Sequence, residues 1–316
     1  MKGAGDVEDL VRTARGGVLL TEWAYAAGWP PGRLRGRLRR EGWQRICREA
    51  WAVPGKEVDW KVRARVVQLR RPEWVCSHRT AAALHRVEVL NGDAEGEGKR
   101  DVEFTVLRRG GGGVSCEAGL RVHTTVVLTE RDVSVRAGLR VTSPARTVGD
   151  LMRCGSREEG VVVADSALSR RTVRGVRREP LVRPGDLTAQ LSRRLPGAAR
   201  ARAMLALTDP TAGSPAETVA RLHMRDAGLH PESQPLLHTA SGRPLRPDFL
   251  FRDAGLVVEI EGYAFHGTRH AHARDIDRFN ALAECPSVRR ILRFTASEVF
   301  HHPARMIARI RAVLAA

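Results

Sequence analysis

Lysine is almost missing from this chain. It occurs only at positions 2, 56, 61 and 99 of 316 residues, although Lys and Arg together number 53. The positive charge is therefore arginine, a planar donor fork rather than a mobile ammonium. Tyrosine occurs twice and aromatic residues make up only 5%. The five cysteines (Cys47, Cys76, Cys116, Cys154, Cys285) are scattered, with no Cys-x-x-Cys pair. That spacing excludes an obvious cysteine zinc site or disulfide framework and fits a reducing compartment. No apolar run approaches the roughly 18 residues that cross a bilayer. Met1 to Leu10 is polar and acidic, unlike a signal peptide. The expectation is a soluble cytoplasmic protein that does not enter membranes.

What is present supports sizeable cores and an anionic partner. Hydrophobic residues make up 42%, and the length suits two or three domains. The net charge is +17 and the pI about 11.1, which points to nucleic acid. Arginine with abundant Ala, Gly and Val is also what a GC-rich genome produces, so codon bias explains part of the charge. The charge is uneven: from position 211 onward there are 14 Arg and 11 acids, only +3 of the +17. The leading parts would supply most polyanion affinity.

Residues 1–57 read as a winged helix-turn-helix. Helices are expected over Asp6–Ala14, Thr21–Ala27 and Gly32–Glu41, the last started by Pro30 and Pro31 and ended by Gly42. Leu34 and Leu38 are four apart and share its buried face. Arg33, Arg37 and Arg40 lie elsewhere on it, free to meet a phosphate backbone. Trp43–Cys47 and Ala50–Val53 form the hairpin that would be the wing, with Arg45 as a further DNA contact. In this order the third helix enters the major groove. The alternative is a small helical cap with solvated arginines.

Residues 58–206 read as a mixed α/β middle domain. Ser77 to His85 makes a capped helix, Val102–Leu107 and Leu120–Val127 alternate like strands, and Ser143 caps another helix. Val161–Leu168 reads as a buried helix. His78 and Asp165 are read as structural, because no partner cluster is visible around them. Leu207–Ser214 reads as a linker.

Residues 212–316 carry the chemistry. Ser214 with Glu217 has the spacing of a capping box, which accounts structurally for Glu217. Strands are expected over Gln234–His238, Asp248–Arg252, Leu256–Glu261 and Val288–Phe294. Helices are expected over Arg269–Glu284 and Ala296–Leu314. A strand alternates faces at every residue. Val258 and Ile260 therefore point one way, and Val257, Glu259 and Glu261 the other. Two neighbouring carboxylates repel unless a cation joins them, and Mg²⁺ prefers oxygen ligands. Asp248, on the adjacent run, would give the third oxygen. The alternative is an edge strand with ordinary surface acids.

The order helix, strand with Arg246-Pro247-Asp248, strand with Val258-Glu259-Ile260-Glu261-Gly262, helix, strand resembles the PD-(D/E)XK nuclease superfamily. With Phe265-His266-Gly267, and with Asp275 and Arg278 on the long helix, it is similar to the very-short-patch-repair (Vsr-like) branch, especially its actinobacterial proteins. The N-terminal unit is similar to the AbiEi-type antitoxin winged helix. Ser77-His78-Arg79-Thr80 and Ser143-Pro144-Ala145-Arg146-Thr147 resemble the segment that separates the two. The resemblance implies an α/β multidomain protein with a restriction-endonuclease-like α/β/α domain at its C-terminal end. It implies that Asp248 and Glu259 bind Mg²⁺ or Mn²⁺ (with the Ile260 carbonyl as a further donor), that Glu217 matches the helix acid, that His266 assists hydrolysis, and that Asp275 and Arg278 support the site. Two departures stand out. Glu261 occupies the superfamily's lysine position, and Cys285 to Arg290 replaces the usual Gly-Trp before the closing strand. His270 and His272 near His266 raise the alternative of a transition-metal site. The expected function is a metal-dependent DNA endonuclease. The alternative is an antitoxin-like regulator whose nuclease fold is inactive. A toxin partner or a homodimer is compatible with either, and no residue identifies its surface.

Overall fold

The computed structural model describes residues 7–90, 101–108, 119–173, 175–261 and 269–316. Among them are thirteen α-helices and sixteen short strands, a mixed α/β protein. No helix among the described residues is long and apolar enough to cross a membrane. The chain divides into two compact units. The first comprises residues 1–84 and 91–143, and the second 85–90 and 144–316. The segment 58–206 is shared between them.

The first unit begins with helices Val7–Thr13, Thr21–Ala26 and Pro31–Arg40, and strands Gln44–Cys47 and Ala50–Ala52. Pro31 sits at the first position of its helix, where its missing N–H costs nothing. Leu34 and Leu38 are fully buried against Leu10, Trp29, Trp43 and Trp51. Strand Val18–Leu20 is an addition to the expected elements. It pairs antiparallel with Ala50–Ala52, making a three-stranded sheet rather than a bare hairpin. Three residues are too few for a periodic signal in sequence.

The same unit holds a five-stranded sheet. Its order is Leu120–Thr125, Val102–Leu107, Val75–Cys76, Leu139–Thr142, Val133–Arg136. One face packs Val102, Phe104, Cys76 and Val141 against Trp60, Ala64 and Ala81.

The second unit carries a four-stranded sheet in the order Glu232–Ser233, Phe249–Phe251, Leu256–Glu261, Arg290–Thr295. The first two pairings are antiparallel and the last is parallel. A parallel pair needs a crossover, and helix Arg269–Ala283 provides it. Alternation sorts the strand as expected. Leu256, Val258 and Ile260 join Phe249, Val219, Val299 and Ile310, the core beneath helices Pro215–Asp226, Ala296–His301 and Pro303–Leu314. Val257 and Leu250 instead pack on Ala281 and Leu282 of the crossover helix. The sheet thus lies between two helical layers, and Glu259 and Glu261 emerge on the crossover-helix side.

The supposed linker 207–214 is fastened down. The Asp209 N–H donates to Asp165 Oδ1 at 2.7 Å, and Arg221 donates to the Leu207 carbonyl at 2.7 Å. Asp165 itself is wholly buried in helix Arg157–Leu168. Its other oxygen accepts from Thr218 Oγ1 at 2.9 Å and from Arg221 at 2.8 Å. This is a structural anchor between two helices. Asp165→Ala would strand the Asp209 N–H, the Thr218 hydroxyl and one amino group of Arg221, leaving Arg221 only the Leu207 carbonyl and the Asp209 carboxylate 3.8 Å away. We expect it to cost about 3–5 kcal/mol, read as a lower urea midpoint at unchanged m-value.

Candidate functional site

Three acids meet where the second unit's sheet faces the start of helix Pro215–Asp226. Glu217 arrives from that helix. Ser214 caps it, its Oγ accepting the Glu217 N–H at 3.2 Å. Only this half of the expected capping box forms. The Glu217 carboxylate turns instead to the Gly213 N–H at 2.7 Å and to Gln234 Nε2 at 2.9 Å. A Cβ on Gly213 would lie 3.0 Å from a Glu217 oxygen, so a side chain there would press on that carboxylate.

Asp248 follows Pro247 and precedes strand Phe249–Phe251. It is buried, accepting the Ile260 N–H at 2.7 Å and Gln234 Nε2 at 3.0 Å. Glu259, in strand Leu256–Glu261, accepts the Asp248 N–H at 3.2 Å. The two central strands are therefore cross-tied by acid side chains as well as by their ladder.

Gln234 was not singled out from sequence. Its one amide nitrogen has two hydrogens, and they reach Glu217 and Asp248. Its backbone is left-handed, with φ 48°, and its N–H donates to the Asp248 carbonyl at 2.9 Å. Such a conformation costs on the order of 1 kcal/mol off glycine and persists where surroundings over-determine it. Nothing in a one-dimensional pattern announces it.

Arg278, on the crossover helix, supplies the cation. Its Nη2 lies 3.1 and 2.9 Å from the two Glu259 oxygens and donates to the Arg246 carbonyl at 2.9 Å. Glu261 is placed differently. Its carboxylate pairs with Arg293, which lies on the neighbouring strand and covers the Phe279 ring at 5.3 Å. Among the described residues no hydrogen bond joins Glu261 to the other acids. The expected roles of His266 and of the Asp275 side chain lie outside the described residues.

Electrostatics follow from this packing. Burial pushes the Asp248 carboxyl up to about 8, reinforced by the negative charges of Glu217 and Glu259. Burial also raises Glu259, although Arg278 pulls the other way. The donors present are hydrogen-bond donors and one arginine, so part of the negative charge is left to repel itself.

In the first unit, Arg33, Arg40 and Arg45 are exposed, whereas Arg37 is half-buried. Arg37 pairs with Glu41 one turn along the helix, and its guanidinium sits 4.9 Å over the Trp29 ring. It is thus engaged within its own helix, contrary to the expectation that it stands free. The i, i+4 spacing to Glu41 carried that signal.

No protein-family model matches the chain. Over 193 residues it is 33% identical to two Mycobacterium tuberculosis proteins, described as uncharacterized protein Rv2248 (strain ATCC 25618 / H37Rv) and uncharacterized protein MT2308 (strain CDC 1551 / Oshkosh). The match covers 61% of this chain and 67% of each relative. The chain belongs to the family of these mycobacterial proteins. Among solved structures it is similar to the RV2827C protein of Mycobacterium tuberculosis, with 19% identity, a TM-score of 0.45, and 72% and 82% of the two chains covered.

The raised carboxyls set a pH dependence. A folded-state pKa above the ordinary 3.8 means that stability is full below that value and is lost as pH rises toward about 8. Asp248→Asn removes the loss. In chelated buffer its melting temperature should gain on the native protein between pH 5 and 9, by about 2–4 °C for each kcal/mol of repulsion relieved. A difference that stays flat with pH would show that the acids do not repel.

Proposed function

We propose that the second unit is a metal-dependent DNA endonuclease domain of the restriction-endonuclease-like type, and that the N-terminal winged helix-turn-helix delivers it to DNA. One observation carries this reading: Glu217, Asp248 and Glu259, far apart in sequence, come together beside the sheet, Gln234 bridging Glu217 to Asp248 and the Asp248 N–H reaching Glu259. Burying carboxylates together without enough counter-charge is unfavourable. A divalent cation is the usual remedy, and all-oxygen donors suit Mg²⁺ or Mn²⁺.

Glu217 and Asp248 would offer oxygens to such an ion, and Glu259 is shared with Arg278; the ligand oxygens of the three do not all lie within 4.8 Å of one another, so they would have to draw together around it. Glu261 is drawn to Arg293 and is not among the acids that would hold the ion. When bound, the metal lowers the pKa of a water and neutralises charge building on the phosphate. The chain's own residues do the rest. Gln234 fixes the orientation of two ligand carboxylates. The Ile260 N–H holds Asp248 Oδ2 in place. Arg278 steadies Glu259 and brings a positive charge where a phosphodiester would lie. Exposed Arg33, Arg40 and Arg45 would bind the DNA phosphate backbone.

With Mg²⁺ or Mn²⁺ the protein should nick or cut DNA. Asp248→Ala and Glu217→Gln should each lower that rate about 1000-fold, the scale of several kcal/mol of lost charge stabilisation. Absence of divalent-dependent cleavage on duplex, mismatched, branched and single-stranded DNA would sink this proposal.

A second reading, an antitoxin-like DNA-binding regulator with an inactive nuclease fold, is favoured by the same arginines. Arg278 already neutralises Glu259, and an acid stands where the superfamily places lysine. Under that reading DNA binding survives Asp248→Ala. Arg33→Ala with Arg40→Ala should weaken binding and flatten its salt slope by about 2 if each arginine meets one phosphate. Equal slopes would place the DNA elsewhere on the protein.

A further inference from the structure

His78, Glu103 and His123 lie far apart in sequence and come together in the first unit. Each presents one ligand atom, and all three atoms lie within 4.8 Å of one another. His78 opens helix His78–His85, one residue after strand Val75–Cys76 ends. Glu103 and His123 come from the adjacent parallel strands Val102–Leu107 and Leu120–Thr125. His123 is opposite Thr105, so Glu103 is its diagonal neighbour on the same face. His123 Nε2 lies 2.7 Å from Glu103 Oε2.

We propose that these three side chains form a binding site for a transition-metal cation of the Zn²⁺ class, separate from the carboxylate cluster. Two imidazoles and one carboxylate are borderline ligands that suit Zn²⁺ and not Mg²⁺. Three protein ligands leave a fourth position, as open zinc sites do.

The site is built rather than incidental. His78 has a left-handed backbone, φ 48°, uncommon outside glycine. Its Nδ1 is 2.9 Å from Ser77 Oγ, the kind of contact that orients a ligating imidazole. Glu103 is fixed from both sides: its N–H donates to Thr80 Oγ1 at 2.8 Å, and its carbonyl accepts the Ser77 N–H at 2.9 Å. The His78 and His123 rings stack with centroids 3.5 Å apart. His78 and Glu103 are buried, while the His123 side chain is 27% exposed and gives a way in.

An imidazole binds an ion in its ring plane, so the stacked His78 and His123 rings must splay before both reach one ion, and the partly exposed His123 is the ring that turns. Ligands about 2.0–2.1 Å from a tetrahedral ion stand about 3.4 Å from one another. The His123–Glu103 contact would open slightly and the widest separation would close.

The test uses the full chain, stripped with chelator and titrated with Co²⁺ as a visible probe. One equivalent should produce the intense d–d absorption of four-coordinate Co²⁺, which Zn²⁺ then displaces. His123→Ala and Glu103→Gln should lose the band and bind Zn²⁺ at least about 100-fold more weakly. Asp248→Asn should keep it, which separates this site from the acids of the other unit. His123→Cys retains a zinc ligand and should add a sulfur-to-cobalt charge-transfer band that neither the native protein nor His123→Ala shows. No band in the native protein, or an unchanged band in both His123→Ala and Glu103→Gln, would overturn the proposal.

Discussion

Carboxylates avoid one another and avoid burial, so the placement of Glu217, Asp248 and Glu259 in one spot is the constraint on which the second unit depends. Gln234 resolves part of it by donating to two acids from one nitrogen. Backbone amides of Gly213, Ile260 and Asp248 resolve more. Each of these donors fixes a piece of chain. The left-handed turn at Gln234, the missing side chain at Gly213 and the pairing of the two central strands all answer to the same group of oxygens. Arrangements of this kind, in which local geometry is bent to hold like charges together, are costly and tend to mark sites of chemistry.

The arginines give the site its ambiguity. A lysine in the strand would act as a mobile point charge, but the chain has no lysine beyond position 99. Arginine takes over with a fixed fork, and here the forks are directed inward: Arg278 to Glu259 and Arg293 to Glu261. An arginine so engaged can brace a ligand or replace the ion altogether. Which of the two holds is a matter of relative affinity for Glu259.

Much of the second unit's frame was legible. Strand Leu256–Glu261 has the expected bounds, because three apolar residues starting after Gly255 run into the alternating Glu-Ile-Glu. Ser214 and Pro215 announced the helix that carries Glu217. Glu261 was misplaced in the grouping with Asp248 because strand parity gives a face but not a neighbour, and Arg293 lay on a strand whose register the sequence does not state. His78 looked solitary for a related reason: its companions are on strands beyond a glycine-rich stretch, and only sheet pairing unites them. Arg37 was the avoidable miss, since Glu41 lies one helical turn away.

The tie between Asp165 and the 207–221 segment has a bearing on how such a protein can be inherited. Asp209, Thr218 and Arg221 all converge on one carboxylate contributed by an earlier helix. A recombination event that joined a foreign C-terminal part at the apparent seam near residue 206 would import the arginine without the buried carboxylate that it contacts most closely. Shuffling at that seam is therefore penalised, and helix Arg157–Leu168 is bound to travel with the sheet through evolution as a single heritable block.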